Sequence, residues 1–327
     1  MTTSLNPSRS VNPSAIPLPA DPNIPRRATL VAASASLLLI CLKLGVGLAT
    51  GTVSVLASAV DSLLDFLVSS FNAYAVRTSE RPSDEIYNYG RGKIEGIAAL
   101  LEGLFILGSA VYIMREALIS FDRPEPLGAG NLRWAVLAMT LSLALTTVLV
   151  LYLTRLARRT RSLVVEADLA HYRVDLISNG SVLLALGIIR LTGWDWIDPL
   201  VALAVSVLVA RAALPVLRKG LHMLLDRALD PSMVERIRAL AEGHNRRVNG
   251  VHEVKTRRAG DTNFVDMHIV FDESIRLLEA HRIADEIEAG IRGLEPVRWV
   301  INIHLDPVDD SFKDGRFGRG GQDVAEG

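Results

Sequence analysis

Apolar residues dominate the first two thirds of the chain in long stretches that predict membrane spans. A helix needs about 20 mostly apolar residues to cross a bilayer. Six segments meet that length: roughly Ala28–Ala49, Val53–Ala75, Ile94–Ala117, Trp134–Leu153, Asp168–Leu191 and Ile197–Leu217. Ionisable side chains interrupt the second and the fifth. After the sixth the pattern changes. Pro231–Asn245 and Arg276–Gly290 have the apolar spacing of amphipathic helices, whereas Val251–Arg257, Asn263–Phe271 and Trp299–Asp306 alternate as half-buried strands do. The expected fold is an α-helical membrane protein with six transmembrane helices, followed by a small α+β domain of order α-β-β-α-β.

The ends of the chain fit neither pattern. Residues 1–26 are polar and rich in Pro and Ser, without the basic start and apolar core of a secretory signal. They are expected to form a disordered cytoplasmic arm. Residues 309–327, rich in Gly, Asp and Arg, are expected to form a disordered tail. Between them lie the membrane domain, 27–220, and the soluble domain, 221–308.

Charge sharpens this division. The chain of 327 residues has a net charge of −1, which gives no reason to expect a nucleic-acid partner. From Leu221 onward it carries 15 basic and 20 acidic residues, leaving 20 basic and 16 acidic before that point. Basic residues gather in alternate loops: Arg26 and Arg27, then Arg77 to Lys93, then Arg155 to Arg161, then Arg218 and Lys219. The positive-inside rule places these loops and both termini in the cytoplasm. The single cysteine, Cys41, excludes an internal disulfide and a multi-thiolate metal site.

The costliest residues point to chemistry. Asp61 and Asp65 sit in the second span, and His171 and Asp175 at the head of the fifth, with Asp168 a turn before His171. Each pair is spaced by four, which puts both side chains on one helix face. Ionisable groups in hydrocarbon cost several kcal/mol and mark ion pathways or proton relays. Three carboxylates and an imidazole also suit a borderline divalent cation such as zinc, although any helix repeats at this spacing. A second cluster lies in the soluble domain. His252, His268, His281 and His304 fall within about 55 residues, His268 shares a strand face with Asp266, and His304 shares one with Asp306. Lys93 at the start of the third span and Asp226 after the sixth form a candidate ion pair between the spans and the soluble domain, or are two ordinary interfacial charges. Gly90–Lys93 lacks the spacing of a phosphate-binding loop and follows a helix rather than a strand.

Five ordered motifs, DSLLD, YGRGKIE, HYRVD, LLDRALD and HIV…AHRIAD…IHLDP, between about Arg27 and Pro307, resemble the cation diffusion facilitator family. They look closest to its bacterial ferrous-iron and zinc efflux branch. The resemblance implies a secondary transporter rather than an enzyme: a homodimeric, multi-pass protein of the inner membrane that exchanges divalent cations for protons. On it, Asp61, Asp65, His171 and Asp175 match the transport-site ligands. The histidine favours zinc, cadmium or ferrous iron as substrate over manganese. His252, His268, His281, His304 and Asp306 match a cytoplasmic site for a regulatory or structural zinc or ferrous ion that joins two subunits. Lys93 and Asp226 match a charge interlock of the dimer. In the branch, the loop after the second span binds an extra metal. Here Asp84 remains, but Tyr87 and Arg91 stand where histidines are expected, so this loop site is expected to be absent or very weak. Two other readings are an intramembrane metalloenzyme, which would need an open metal position, and a sensor or scaffold without transport. No HExxH motif is present.

Overall fold

The computed structural model describes residues 23–50, 53–122, 132–194 and 196–308. Most of the expected arm, all of the expected tail and the loop at 123–131 lie outside these residues. The chain divides into two compact units, one holding six long helices and the other beginning at Ala228.

The helical unit comprises α1 (Asn23–Thr50), α2 (Val53–Ser79), α3 (Ile94–Asp122), α4 (Leu132–Ala157), α5 (Leu163–Thr192) and α6 (Ile197–Leu224). Five of them, α1, α3, α4, α5 and α6, are long and apolar enough to cross a membrane. Most overrun the apolar runs that predicted them, because backbone hydrogen bonding continues through polar residues that a hydropathy reading discounts. Thus α1 starts at Asn23, with Pro25 in its first turn, where the missing N–H costs nothing. It takes residues 23–26 out of the expected disordered arm, and Arg26 pairs with Glu80 at the end of α2. Likewise α6 runs past Leu221 to Leu224.

Small residues bring α3 and α6 together. A Cβ at Gly220 would lie 2.9 Å from the backbone nitrogen of Leu100, and one at Gly103 would lie 2.8 Å from Leu217 Cγ. Only glycine permits such an approach. The start of α5 is fixed from outside its own sequence. Its N-cap residue, Ser162, makes no side-chain cap bond. The buried Glu95 carboxylate of α3 instead accepts hydrogen bonds from Leu163 N (3.0 Å), Ser162 Oγ (2.8 Å) and, from the end of α2, Ser79 Oγ (2.9 Å). An anion at a helix N-terminus meets unpaired N–H groups and the positive end of the dipole.

The second unit contains α7 (Pro231–His244), β1 (Val248–Ala259), β2 (Thr262–Phe271), α8 (Leu277–Arg292) and β3 (Arg298–Pro307). The sheet order is β1-β2-β3, with β2 and β3 parallel and His268 paired in register with His304. A two-residue turn joins β1 to β2, with Gly260 at φ 61°, a conformation that glycine adopts without strain. On α8, Ala280, Ile283, Ala284, Ile287 and Ile291 form a helical stripe, and on α7 Met233, Ile237 and Ala241 do the same. Both stripes meet Val265, Met267 and Ile269 from one face of β2 in a single core. β1 begins three residues earlier than the alternation suggested, so His252 lies inside the strand and not at its edge.

Candidate metal centres

In the helical unit, periodicity builds the first centre. Asp65, Ser69 and Asn72 lie along one face of α2, and Asp168, His171, Tyr172 and Asp175 along one face of α5. Where these faces meet, His171 Nε2 stands 3.1 Å from Asp65 Oδ1 and 3.5 Å from Asp175 Oδ2. One donor atom from each of Asp65, His171 and Asp175 falls within 4.8 Å of the others. The imidazole is buried, edge-on to Tyr172 with ring centroids 5.4 Å apart and 5.8 Å from the Phe105 ring of α3. Tyr172 is itself fixed through its hydroxyl, 2.6 Å from Ser36 Oγ and 2.8 Å from Ser69 Oγ. One nitrogen and two carboxylates, without thiolate, make a donor set for a borderline divalent cation. Asp61, a turn before Asp65, is exposed and stands outside this group of three.

Two residues of this region, Lys43 and Glu102, were missed by the sequence reading. Lys43 of α1 donates to Ser62 Oγ at 2.8 Å. Glu102 of α3 accepts from Asn72 Nδ2 at 3.0 Å, and the same nitrogen donates to Asp168 Oδ1 at 3.2 Å. The signal was present, since each is a lone polar residue inside an apolar run.

The second centre is gathered by the sheet. Asp306 is only 3% exposed, and three imidazoles turn toward it. His252 Nε2 and His268 Nδ1 each lie 3.0 Å from its Oδ2, and His304 Nδ1 lies 2.5 Å from its Oδ1. The His268 ring lies tilted between those of His252 and His304, with ring centroids 5.1 and 4.6 Å away. His252, His268 and Asp306 present donor atoms within 4.8 Å of one another, and two imidazoles with a carboxylate suit zinc or ferrous iron. Glu253 adds a carboxylate 3.8 Å from His268 Nε2, from a backbone at φ 50° that few non-glycine residues adopt. Its hydrogen bond with Lys255, and secondly the neighbouring imidazoles, hold its carboxyl below the usual range. His281 stands apart on α8, its Nε2 3.7 Å from Asp285 Oδ2.

In the loop after α2, Asp84 is already occupied. Its Oδ1 accepts from the backbone of Tyr87 (2.8 Å) and Ile86 (3.0 Å), and its Oδ2 accepts from Arg91 at 2.5 Å. The Tyr87 N–H first, and then the Arg91 guanidinium, hold its proton affinity below the ordinary carboxylate range.

Lys93 Nζ lies 2.9 Å from Asp226 Oδ2. Both residues belong to the helical unit, so within one protomer the pair joins the start of α3 to the end of α6, not the spans to the soluble domain. Both side chains are about two-fifths exposed, 39% and 42%, and such a pair contributes about 0–1 kcal/mol. Lys93→Ala is therefore expected to lower stability by no more than about 1 kcal/mol in chemical denaturation of the detergent-solubilised protein. A larger loss, accompanied by monomers on size exclusion, would give the pair a role between subunits.

Comparison with known proteins gives these centres a context. The model of the cation efflux transmembrane domain matches residues 29–225, and that of the cation efflux protein cytoplasmic domain matches 229–308. Cation-efflux pump FieF of Klebsiella pneumoniae subsp. pneumoniae is 36% identical over 281 residues, 86% of this chain and 92% of the relative. FieF of Escherichia coli O127:H6 is 36% identical over 294 residues, 89% of this chain and 95% of the relative. Among solved structures, the zinc form of CzrB is 38% identical over 26% of this chain and 96% of its own, with a TM-score of 0.25. Both family models fall in the order that the sequence motifs suggested, and together they cover nearly all the described residues. The chain belongs to the cation efflux family and is a multi-pass membrane transporter of divalent cations, not an enzyme.

Proposed function

We propose that the protein exports zinc above all, and also ferrous iron or cadmium, from the cytoplasm by exchange for protons. The observation that carries this reading is the approach of His171 Nε2 to the carboxylates of Asp65 and Asp175 between two membrane helices. Asp61 completes a tetrahedral set when a cation binds, drawn in from its place one turn before Asp65. Binding needs a neutral imidazole and ionised carboxylates, so metal and protons compete for the same atoms. Competition produces exchange once the site faces the two sides of the membrane in turn. Tilting of helices around a fixed site, with either cargo reducing the net charge, accounts for that alternation.

In this reading α2 is the sixth span, and the basic loops place both termini in the cytoplasm of an inner-membrane protein. The protein acts as a homodimer joined through its cytoplasmic domain. There Asp306 with His252, His268 and His304 holds a zinc or ferrous ion, and His281, which stands apart on α8 within one protomer, joins the site only across the dimer. Cytosolic metal draws the two domains together and shifts the membrane helices between states. Lys93 and Asp226 tie the start of α3 to the end of α6 within each protomer, and Asp84 adds no transport ligand.

Liposomes with an acidic lumen test the exchange. With zinc outside, wild-type protein is expected to accumulate zinc while the lumen becomes more alkaline. Zinc uptake without proton movement would overturn the coupling.

A further inference from the structure

Beside the proposed transport site lies a second buried group of ionisable side chains that metal binding does not use. Glu102 of α3, Asp168 of α5 and Asn72 of α2 are each 1% exposed. A single amide nitrogen, Asn72 Nδ2, donates to one oxygen of each carboxyl. The remaining oxygens, Glu102 Oε1, Asp168 Oδ2 and Asn72 Oδ1, have no hydrogen-bond partner. Two ionised carboxylates with so few donors are unfavourable away from water. A single proton relieves both problems: it removes one negative charge and turns an acceptor into a donor, for which unpartnered oxygens stand ready.

Among the described residues, the surroundings offer no fixed cation that could do this instead. α3 packs against α2, α5 and α6. The buried residues of α6 include no charged side chain. From α5, Glu102 feels Asp168, His171 and Asp175, and from α2 it meets the neutral Asn72. Asp168 feels His171 and the more distant Asp65. It also accepts from Ser69 Oγ at 3.3 Å, and that hydroxyl continues through Tyr172 to Ser36. The pair therefore ends a buried row of hydroxyls.

We propose that Glu102 and Asp168, bridged by Asn72, share one proton and form a proton-binding site separate from the metal ligands, with Glu102 carrying the proton. Loss of that proton places a negative charge near the metal site and tightens its hold on a cation, and return of the proton loosens it. The pair thus gives the membrane domain a proton store that metal does not displace directly. Its consequence for transport rests on the exchange reading above, whereas the pair can be tested without any transport.

Infrared spectroscopy of the full chain saturated with zinc provides that test. Bound zinc removes protons from its own ligands, so a remaining carbonyl stretch of a protonated, buried carboxyl reports on the pair. The wild type is expected to show this band, Glu102→Gln to lack it, and Glu102→Asp to keep it at a shifted frequency. Absence of the band from the zinc-saturated wild type, or its survival unchanged in Glu102→Gln, would overturn the proposal. If Glu102→Gln does not fold, the wild-type band and its shift in Glu102→Asp decide alone. Zinc affinity adds a second readout, because glutamine copies the protonated form. At neutral pH Glu102→Gln is expected to bind zinc within about threefold of wild type, and at alkaline pH about tenfold more weakly. Equal affinities at both pH values would argue against the store. Failure of lumenal alkalinisation in liposomes would instead count against exchange and leave the infrared result standing.

Discussion

Asp65→Ala is expected to reduce zinc uptake into proteoliposomes by at least about a hundredfold. Residues that merely orient metal ligands change affinity by about 10–100-fold when lost, and a direct ligand sets the lower bound above that. Asp65 is the only contribution of α2 to the group of three, and its carboxylate stands 3.1 Å from His171 Nε2. Without it α2 offers only Asp61, which is exposed and outside the group of three, beside the two groups of α5 one turn apart. The membrane helices are expected to remain folded, because Asp65 is partly exposed and its loss removes a charge from an apolar setting. Uptake within threefold of wild type, in a variant that still purifies as the same oligomer, would place the transport site elsewhere.

Asp306→Ala is expected to have the second largest effect, on the cytoplasmic centre. Three imidazoles lie within 3.0 Å of its two oxygens, and the carboxylate is almost wholly buried. Removing it deletes a proposed ligand and leaves these imidazoles without their acceptor, at a cost of about 2–4 kcal/mol to the fold of the domain. Zinc bound per chain, measured in an Asp65→Ala background, should fall by the share that belongs to this centre. Undiminished zinc binding there would exclude Asp306 as a ligand. Asp306→Asn, which keeps the shape and one acceptor oxygen, should restore stability better than metal binding.

Apolar runs made the helices legible, because hydrocarbon admits few polar groups and each run had to reach a minimum length. The helix ends were less legible. Hydropathy does not see Glu95 capping α5 across a gap of 68 residues in sequence. Asp65, His171 and Asp175 stood out as charges in apolar surroundings, and the structure brings these three together. Lys43 and Glu102 gave the same signal one at a time, but a lone polar residue lacks the paired spacing that drew attention to the others. In the second unit the alternation located the strands. It could not show that Asp306 is buried, because its cover comes from His252 and His268 on two other strands. That burial depends on the parallel register of β2 and β3, which local sequence does not encode.

The Glu95 clamp has a mechanical consequence. It holds the first turn of α5 against α2 and α3, so α5 resembles a lever fixed at one end. At 1.5 Å per residue, Asp175 lies about 18 Å from that pivot and the far end of the helix about 43 Å. A swing of about 10° would then move Asp175 by about 3 Å, enough to break a metal bond, and carry the far end by more than twice as much. In the proposed exchange, a small rearrangement at a cation held there would correspond to a wide opening at the distant end, while the clamped end stays nearly still.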